Sequence, residues 1–568
     1  MVQLDFIVMG IFALLIFAIG LTFTRVGSKN GQAFFEAGGE TPWWINGLSL
    51  FISYFSAGTF VVWGSIAYKY GLVANAIQLT MAISGLIVTI FIAARWKKTG
   101  VATAAEYIGK RFGAREKQFY TYLTLLLSLF TTAAVLYPVG KMVHVASGLD
   151  VNICILIIGL IIVLYTAAGG LWAVLVTDVV QFVILTAAVL IVIPIALAQI
   201  GGLENLVIKA PENFFQPFNQ DYTFGFMLAF IVYQTFYIGG NWSYVQRYTS
   251  VPNKKDSRKV AGIFTILYFV SPIIWMLPPM IYRIINPNLQ GLETEDAYMM
   301  LIQKVMPGGL IGLVLAGMIS ATSSKANTTI NMAATVFAQD IYKNLLNPSA
   351  TEKNVIWIAR LFTLLFGILT ILIAMWIPSA GGIVEVVLST ASIAGGALFA
   401  PIIWTLFSKR QTGFSVVSVT IASLVINLFF KVLAPSLIDL KLSRTVETAL
   451  GMGIPMVSLL LFEIYYRAKG QLSAKALVME QHRLEIHRTV QVKDVDSHLA
   501  AEKQNIFGIR VIAISMAVVG LGIIYLGLLA TNFISIIVAV GAIIFISALA
   551  IAAFTSKRSQ KIAIIHGK

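Results

Sequence analysis

Along the 568-residue chain, apolar runs long enough to cross a bilayer alternate with short polar stretches. A helix needs about 20 apolar residues to span the hydrocarbon layer, and fifteen stretches of that kind can be marked between Leu4 and Phe554. Stretches of that length read as membrane-spanning helices, so the pattern predicts an all-α membrane protein. With an odd count the two termini fall on opposite sides. The stretch from Leu310 to Tyr342 breaks the apolar pattern at its midpoint. There it carries Ser320, Thr322, Ser323, Ser324, Lys325, Asn327, Thr328 and Thr329. A Lys at the centre of a membrane helix costs about 2.5–3.5 kcal/mol on insertion scales, so such groups face a protein interior or a watery path. A route for a polar solute or an ion is the first reading.

Composition sharpens this. The chain is 58% hydrophobic and only 11% charged, against about 25% charged in soluble domains. A net charge of +15 would fit a nucleic-acid binder, but no basic cluster is interleaved with aromatic residues as that function requires. The cations gather instead in alternate loops: Arg95, Lys97, Lys98, Lys110, Arg111, Arg115 and Lys117; then Arg247, Lys254, Lys255, Arg258 and Lys259; then Lys409 and Arg410; then Lys557, Arg558 and Lys561. By the positive-inside rule these loops are cytoplasmic, with the N-terminus outside and the C-terminus inside. The first segment lacks a basic leader before its apolar run and reads as a retained helix. One cysteine, Cys154, and five scattered histidines offer neither a disulfide nor a zinc-ligand spacing.

Residues 1–23 form an extra N-terminal helix. The next ten spans divide into two groups of five, at 44–200 and 224–408. An odd number per half makes the second half enter from the opposite side, which allows an inverted repeat of the kind common in secondary transporters. Two peripheral helices follow at 412–467, then a charged cytoplasmic linker at 468–505 and two C-terminal helices at 506–555. In such repeats the first helix of each half is broken near mid-membrane. Ser53, Ser56, Ala57, Gly58 and Thr59 in the first half, and Gly239, Gly240 and Asn241 in the second, are where breaks are expected.

Four stretches carry a family resemblance: Ser49 to Phe60, Ala168 to Gln181, Asn241 to Arg247 ending in Gln-Arg, and Ala334 to Tyr342 ending in Gln-Asp-Ile-Tyr. Together they resemble the sodium:solute symporter family, which includes bacterial sodium/galactose, sodium/proline and sodium/sialic acid transporters. The resemblance covers roughly Leu4 to Tyr466. It implies a leucine-transporter-type five-plus-five bundle working by alternating access. It also implies a sodium site built from the carbonyls of Ile52 and Phe55 on the first broken helix with Ala321, Ser324 and the position of Lys325. Asp178 is expected nearby, and a second ion position would use Asp178, Asn327 and Thr328. The implied solute contacts are Ser56, Thr59, Gln78 and Asn241, all neutral hydrogen-bonding groups.

Departures from the family pattern carry the sharper expectation. Where the family offers a hydroxyl to sodium, this chain has Lys325, which brings three donors and no acceptor. Ala321, Ser324, Lys325 and Thr328 share one helix face, so the ammonium is expected to stand where sodium would, paired with Asp178. Transport would then be sodium-independent or proton-linked. The family's sugar-contacting Lys falls on Tyr268 and a Gln on Leu388, and the carboxylate-binding Arg of the sialic acid transporters has no counterpart around Thr131 to Leu136. The expected solute is therefore small, neutral and polar, a sugar or polyol. Ordinary sodium coupling is the alternative within this class. A membrane sensor working through a partner at 468–505 is the alternative outside it. No enzyme activity, no cofactor beyond a possible sodium ion, no nucleic acid and no obligate protein partner are expected; the partners are the solute and the lipid bilayer of the cell membrane.

Overall fold

Hydrocarbon offers no hydrogen bonds, so backbone that crosses it must satisfy itself, and helices do so within one segment. The computed structural model describes residues 1–27, 41–101, 103–165, 171–489 and 495–566. For some helical positions, Ser324, Asn327 and Thr328 among them, it describes the backbone alone. Among the described residues there is no strand. In chain order the helices are α1 (Gln3–Gly27), α2 (Trp43–Tyr54), α3 (Thr59–Tyr70), α4 (Leu72–Thr99), α5 (Ala104–Arg111), α6 (Ala114–Ser147), α7 (Val151–Tyr165) and α8 (Leu171–Ile200). They continue with α9 (Leu203–Lys209), α10 (Phe224–Gly240), α11 (Trp242–Thr249), α12 (Lys254–Ile285), α13 (Ala297–Val305), α14 (Leu310–Val336), α15 (Glu352–Trp376) and α16 (Ile383–Thr405). Last come α17 (Gly413–Leu437), α18 (Arg444–Ala468), α19 (Ala474–Thr489), α20 (Val495–Leu529) and α21 (Ile534–His566).

Among the described residues, ten helical stretches are long and apolar enough to cross a membrane, and the α2–α3 pair makes an eleventh, bent by 56°. Four shorter apolar helices accompany them, within α1, α7, α10 and α14. The bend falls where small and polar residues interrupt the first core segment. Phe55 is extended (φ −87°, ψ 128°), and the freed amides turn to local hydroxyls: Ser56 N–H donates to Thr59 Oγ1 at 3.2 Å and Gly58 N–H to Ser56 Oγ at 3.2 Å. The second break lies at Asn241 (φ −60°, ψ 129°), between α10 and α11. Its side chain accepts from Ser243 N–H at 3.0 Å, capping α11.

Around these breaks, α2 packs on α8 and α12, α10 on α4, α16 and α18, and α14 on α1, α6 and α8. Helices in lipid approach closely where small residues meet. At Gly451 of α18 a Cβ would lie 2.1 Å from the Ser392 carbonyl oxygen, and at Gly396 of α16 it would lie 2.1 Å from the Gly451 carbonyl oxygen. The outer faces stay apolar, with Leu14, Ile266, Leu365 and Phe554 exposed as lipid requires.

Candidate functional site

A cavity of about 290 Å³ opens between the two breaks. Its wall takes residues 52–59 from α2 and the break, Asp178 from α8, Asn241 to Tyr244 and Arg247 from α11, Ala321, Lys325 and Thr329 from α14, and positions between Val387 and Phe399 of α16. Ile52, Phe55, Ser56, Thr59, Asp178, Asn241, Ala321 and Lys325 thus line one space. Gln78 does not line it. That side chain is buried within α4, with Nε2 lacking a hydrogen-bond partner among the described residues. The side chains of Ser324, Asn327 and Thr328 lie outside the described residues.

The break frees oxygen as well as nitrogen. In an unbroken helix the Ile52 carbonyl would accept from Ser56 N–H and the Phe55 carbonyl from Thr59 N–H. Here Ser56 N–H goes to Thr59 Oγ1, and Thr59 N–H goes to the Ser56 carbonyl at 2.8 Å. Both carbonyls are left without their usual donors beside the cavity.

Asp178 finds a partner other than the one expected from sequence. Its Oδ2 accepts from Ser49 Oγ at 2.5 Å and lies 3.7 Å from the Arg247 guanidinium. Arg247 also donates to Ser49 Oγ (3.3 Å), Ser53 Oγ (3.2 Å) and the Ser243 carbonyl (2.8 Å). Asp178 and Arg247 are 3% and 4% exposed, so their charges are answered within the protein. No ion pair within 4 Å joins Lys325 to Asp178, and among the described residues no hydrogen bond or ion pair holds the Lys325 ammonium. The physical reason is reach. The break at Asn241 swings α11 against α2, and its guanidinium meets the carboxylate first.

Sequence reasoning counted Arg247 among loop cations and did not place Gln234, Ser128 or Thr131 at the site; all four line the cavity. Tyr54, Tyr237 and Tyr244 line the cavity as well. Tyr54 donates its hydroxyl to Gln234 Oε1, and its ring lies 5.7 Å from Tyr237, 5.8 Å from Tyr244 and 5.6 Å from Tyr268. Beyond the break, towards the α3 end, the passage is shut. Phe60 stacks on Tyr298 at 4.0 Å, Ser65 meets Thr294 at 2.8 Å, Tyr137 donates to Glu295 at 2.8 Å, and Lys141 pairs with Asp296 at 3.1 Å. The cavity is closed at that end, and α6 and α10 join the other helices in lining it.

Several known proteins are similar to this chain. Sodium/myo-inositol cotransporter 2 of Bos taurus is 29% identical over 420 residues, 66% of this chain and 61% of that protein. This chain therefore spans about three fifths of the length of that relative. Sodium/glucose cotransporter 1 of Mus musculus is 28% identical over 463 residues, 72% of this chain and 68% of that one. A sodium/glucose cotransporter of Vibrio parahaemolyticus is 25% identical over 462 residues, 75% and 85% of the two chains. Among solved structures, the substrate-bound outward-open state of a Na⁺-coupled sialic acid symporter superposes with a TM-score of 0.66 at 23% identity. It covers 80% of this chain and 97% of its own. A nucleobase-cation-symport-1 family transporter in a closed conformation gives 0.52 at 12% identity, over 79% and 98%. These two likenesses establish a shared fold. The profile of the Sodium:solute symporter family matches residues 34–417, more than half of the chain, and the chain belongs to that family.

Proposed function

We propose that this chain moves a small neutral polar solute, a sugar or polyol, by alternating access, with Lys325 in the place of the coupling sodium ion. The observation that carries the reading is the Lys325 ammonium itself. It lines the cavity together with the released carbonyls of Ile52 and Phe55, and no carboxylate among the described residues pairs with it. Three donors and no acceptor suit carbonyl oxygens that would otherwise ligate a cation. The same cavity offers Ser56, Thr59, Gln234 and Asn241, neutral groups suited to hydroxyls. The names of the relatives, glucose and myo-inositol cotransporters, favour the same solute class.

The architecture that goes with this reading has fifteen spans, the four shorter apolar helices included, with the N-terminus outside and the C-terminus cytoplasmic. Residues 44–200 and 224–408 are the inverted repeats, each starting with a broken helix. Residues 1–23, 412–467 and 506–555 are added helices, and 468–505 is a cytoplasmic linker. On this topology the closed end at Tyr298 and Glu295 is extracellular and the cavity faces inward.

Uptake of labelled glucose and myo-inositol into proteoliposomes, with sodium, pH gradient and membrane potential set independently, tests the coupling. Wild-type uptake is expected to ignore sodium and to follow the proton gradient or the solute gradient alone, whereas Lys325→Ser gains a sodium response. Sodium-stimulated uptake by wild type would overturn the role given to Lys325. It would leave the second reading, ordinary sodium symport, which the relatives' names favour.

A further inference from the structure

A second cavity, of about 320 Å³, lies where α4 and α16 end, and the first turns of α19 roof it. Among the described residues, Arg95, Lys98, Arg111 and Lys409 line it with one carboxylate, Glu480. The cations belong to the floor, on α4, α5 and the turn after α16, while the carboxylate belongs to the roof. Arg111 is 2% exposed. Its partners are the Ser473 hydroxyl (2.9 Å) and the carbonyls of Ser408 (3.4 Å) and Gln411 (3.0 Å). Burial pushes the Arg111 guanidinium below its ordinary value, and among the described residues the opposing influence is the Tyr107 phenol. A buried guanidinium is costly where no acid pairs with it; among the described residues none pairs with Arg111, and it lies beside a space large enough to admit an anion. Arg95 presents a second guanidinium, laid over the Phe407 ring at 4.0 Å and donating to the Leu406 carbonyl at 3.3 Å.

Planar, fixed guanidinium groups backed by lysines are the chemistry that recognises phosphoryl oxygens. We propose that this cavity binds a phosphoryl-bearing anion from the cytoplasmic side, and that Glu480, 2.5 Å from Lys409, is its built-in competitor. The cytoplasmic placement rests on the topology proposed above. It does not depend on the solute or on the role of Lys325. Occupancy has a mechanical consequence. The roof is already tied to the floor, through Ser473 N–H on the Lys409 carbonyl at 3.0 Å and the Lys475 ammonium on the Phe112 carbonyl. The same α16 that ends here lines the solute cavity between Val387 and Phe399. An anion bridging α4, α5 and the end of α16 braces that helix against movement, and so slows the exchange of the solute cavity between the two sides. The phosphoryl group can belong to a soluble phosphate ester or to a lipid headgroup.

Pyrophosphate titrated calorimetrically into the purified full-length protein, without solute or sodium, is the direct test. Saturable binding is expected. It should weaken by about tenfold or more in Arg95→Gln/Lys98→Gln, the loss of charge-assisted hydrogen bonds. It should strengthen in Glu480→Gln and stay unchanged in Lys254→Gln/Lys255→Gln, which removes cations elsewhere on the same face. Repeating the titration in nanodiscs of phosphatidylcholine alone, or with phosphatidylglycerol, separates the sources. If phosphatidylglycerol suppresses pyrophosphate binding in wild type, the natural occupant is a lipid headgroup; if it does not, a soluble phosphate. Absence of saturable binding, or binding that Arg95→Gln/Lys98→Gln leaves unaltered, would overturn the proposal whatever the uptake assays report.

Discussion

Arg247 distributes its donors over two serine hydroxyls, a carbonyl and the Asp178 carboxylate, and so lets two opposite charges sit buried on facing helices. Removing one partner of such a pair strands the other, which typically costs about 3–5 kcal/mol. Asp178→Asn should therefore lower thermal stability in detergent sharply, and Asp178→Asn/Arg247→Gln should lose clearly less than the sum of the two single changes. Additive losses would mean that the two charges are independent. The polar midpoint of α14 was plain in the sequence, because hydroxyls and an ammonium have no bland place in lipid. The partner of Asp178 was not. At the end of a membrane segment a buried arginine and a topology-setting one have the same one-letter code, and only the swing of α11 at Asn241 separates them. Gln78 fails in the opposite way: its helix is correct, but the rotation that buries it within α4 is set by packing against α10 and α12.

At the level of elements, the two breaks were the most legible part of the fold, since glycine, serine and asparagine at mid-span leave few other readings. What holds the first break was less visible. Thr59→Ala removes the acceptor of Ser56 N–H and should destabilise the protein by about 1 kcal/mol, whereas Thr59→Ser should restore wild-type melting. Equal melting of Thr59→Ala and wild type would mean that the amide has another acceptor. A second constraint lies between α16 and α18, where Gly451 and Gly396 bring backbone against backbone. Gly451→Ala places a methyl group 2.1 Å from the Ser392 carbonyl oxygen with no flexible side chain to yield. The expected result is loss of monodisperse protein on size exclusion, and a well-folded variant would show that α18 can retreat. Nothing in the apolar pattern distinguishes these glycines from the solvent-facing ones, because the contact joins segments far apart in the chain.

Across the whole molecule, the closed end joins three separate regions of chain through one acidic turn, Gly291–Asp296, just before α13. Glu295 accepts from Tyr137 of α6 and from Ile383 N–H at the start of α16, at 3.0 Å. Burial raises the Glu295 carboxyl above its ordinary value of 4.5, and burial likewise raises Asp296. A raised carboxyl favours the folded closure below its unfolded value and loses that contribution as pH climbs through the folded one. Acidification from neutrality should therefore raise thermal stability through these groups. Glu295→Gln, which mimics the protonated form, should melt higher at pH 7 and respond less to acid, and a wild-type melting temperature that falls towards pH 5 alongside an unaltered Glu295→Gln would refute this assignment. Asp5 of α1 accepts from Gly309 N–H at 2.6 Å and Gly312 N–H at 3.0 Å, where α14 begins. The first helix is thereby tethered to the start of the helix that bears Lys325. Any rocking of one must be felt by the other, and a dye on the lipid-facing side of α1 would report the working stroke without touching the transport path.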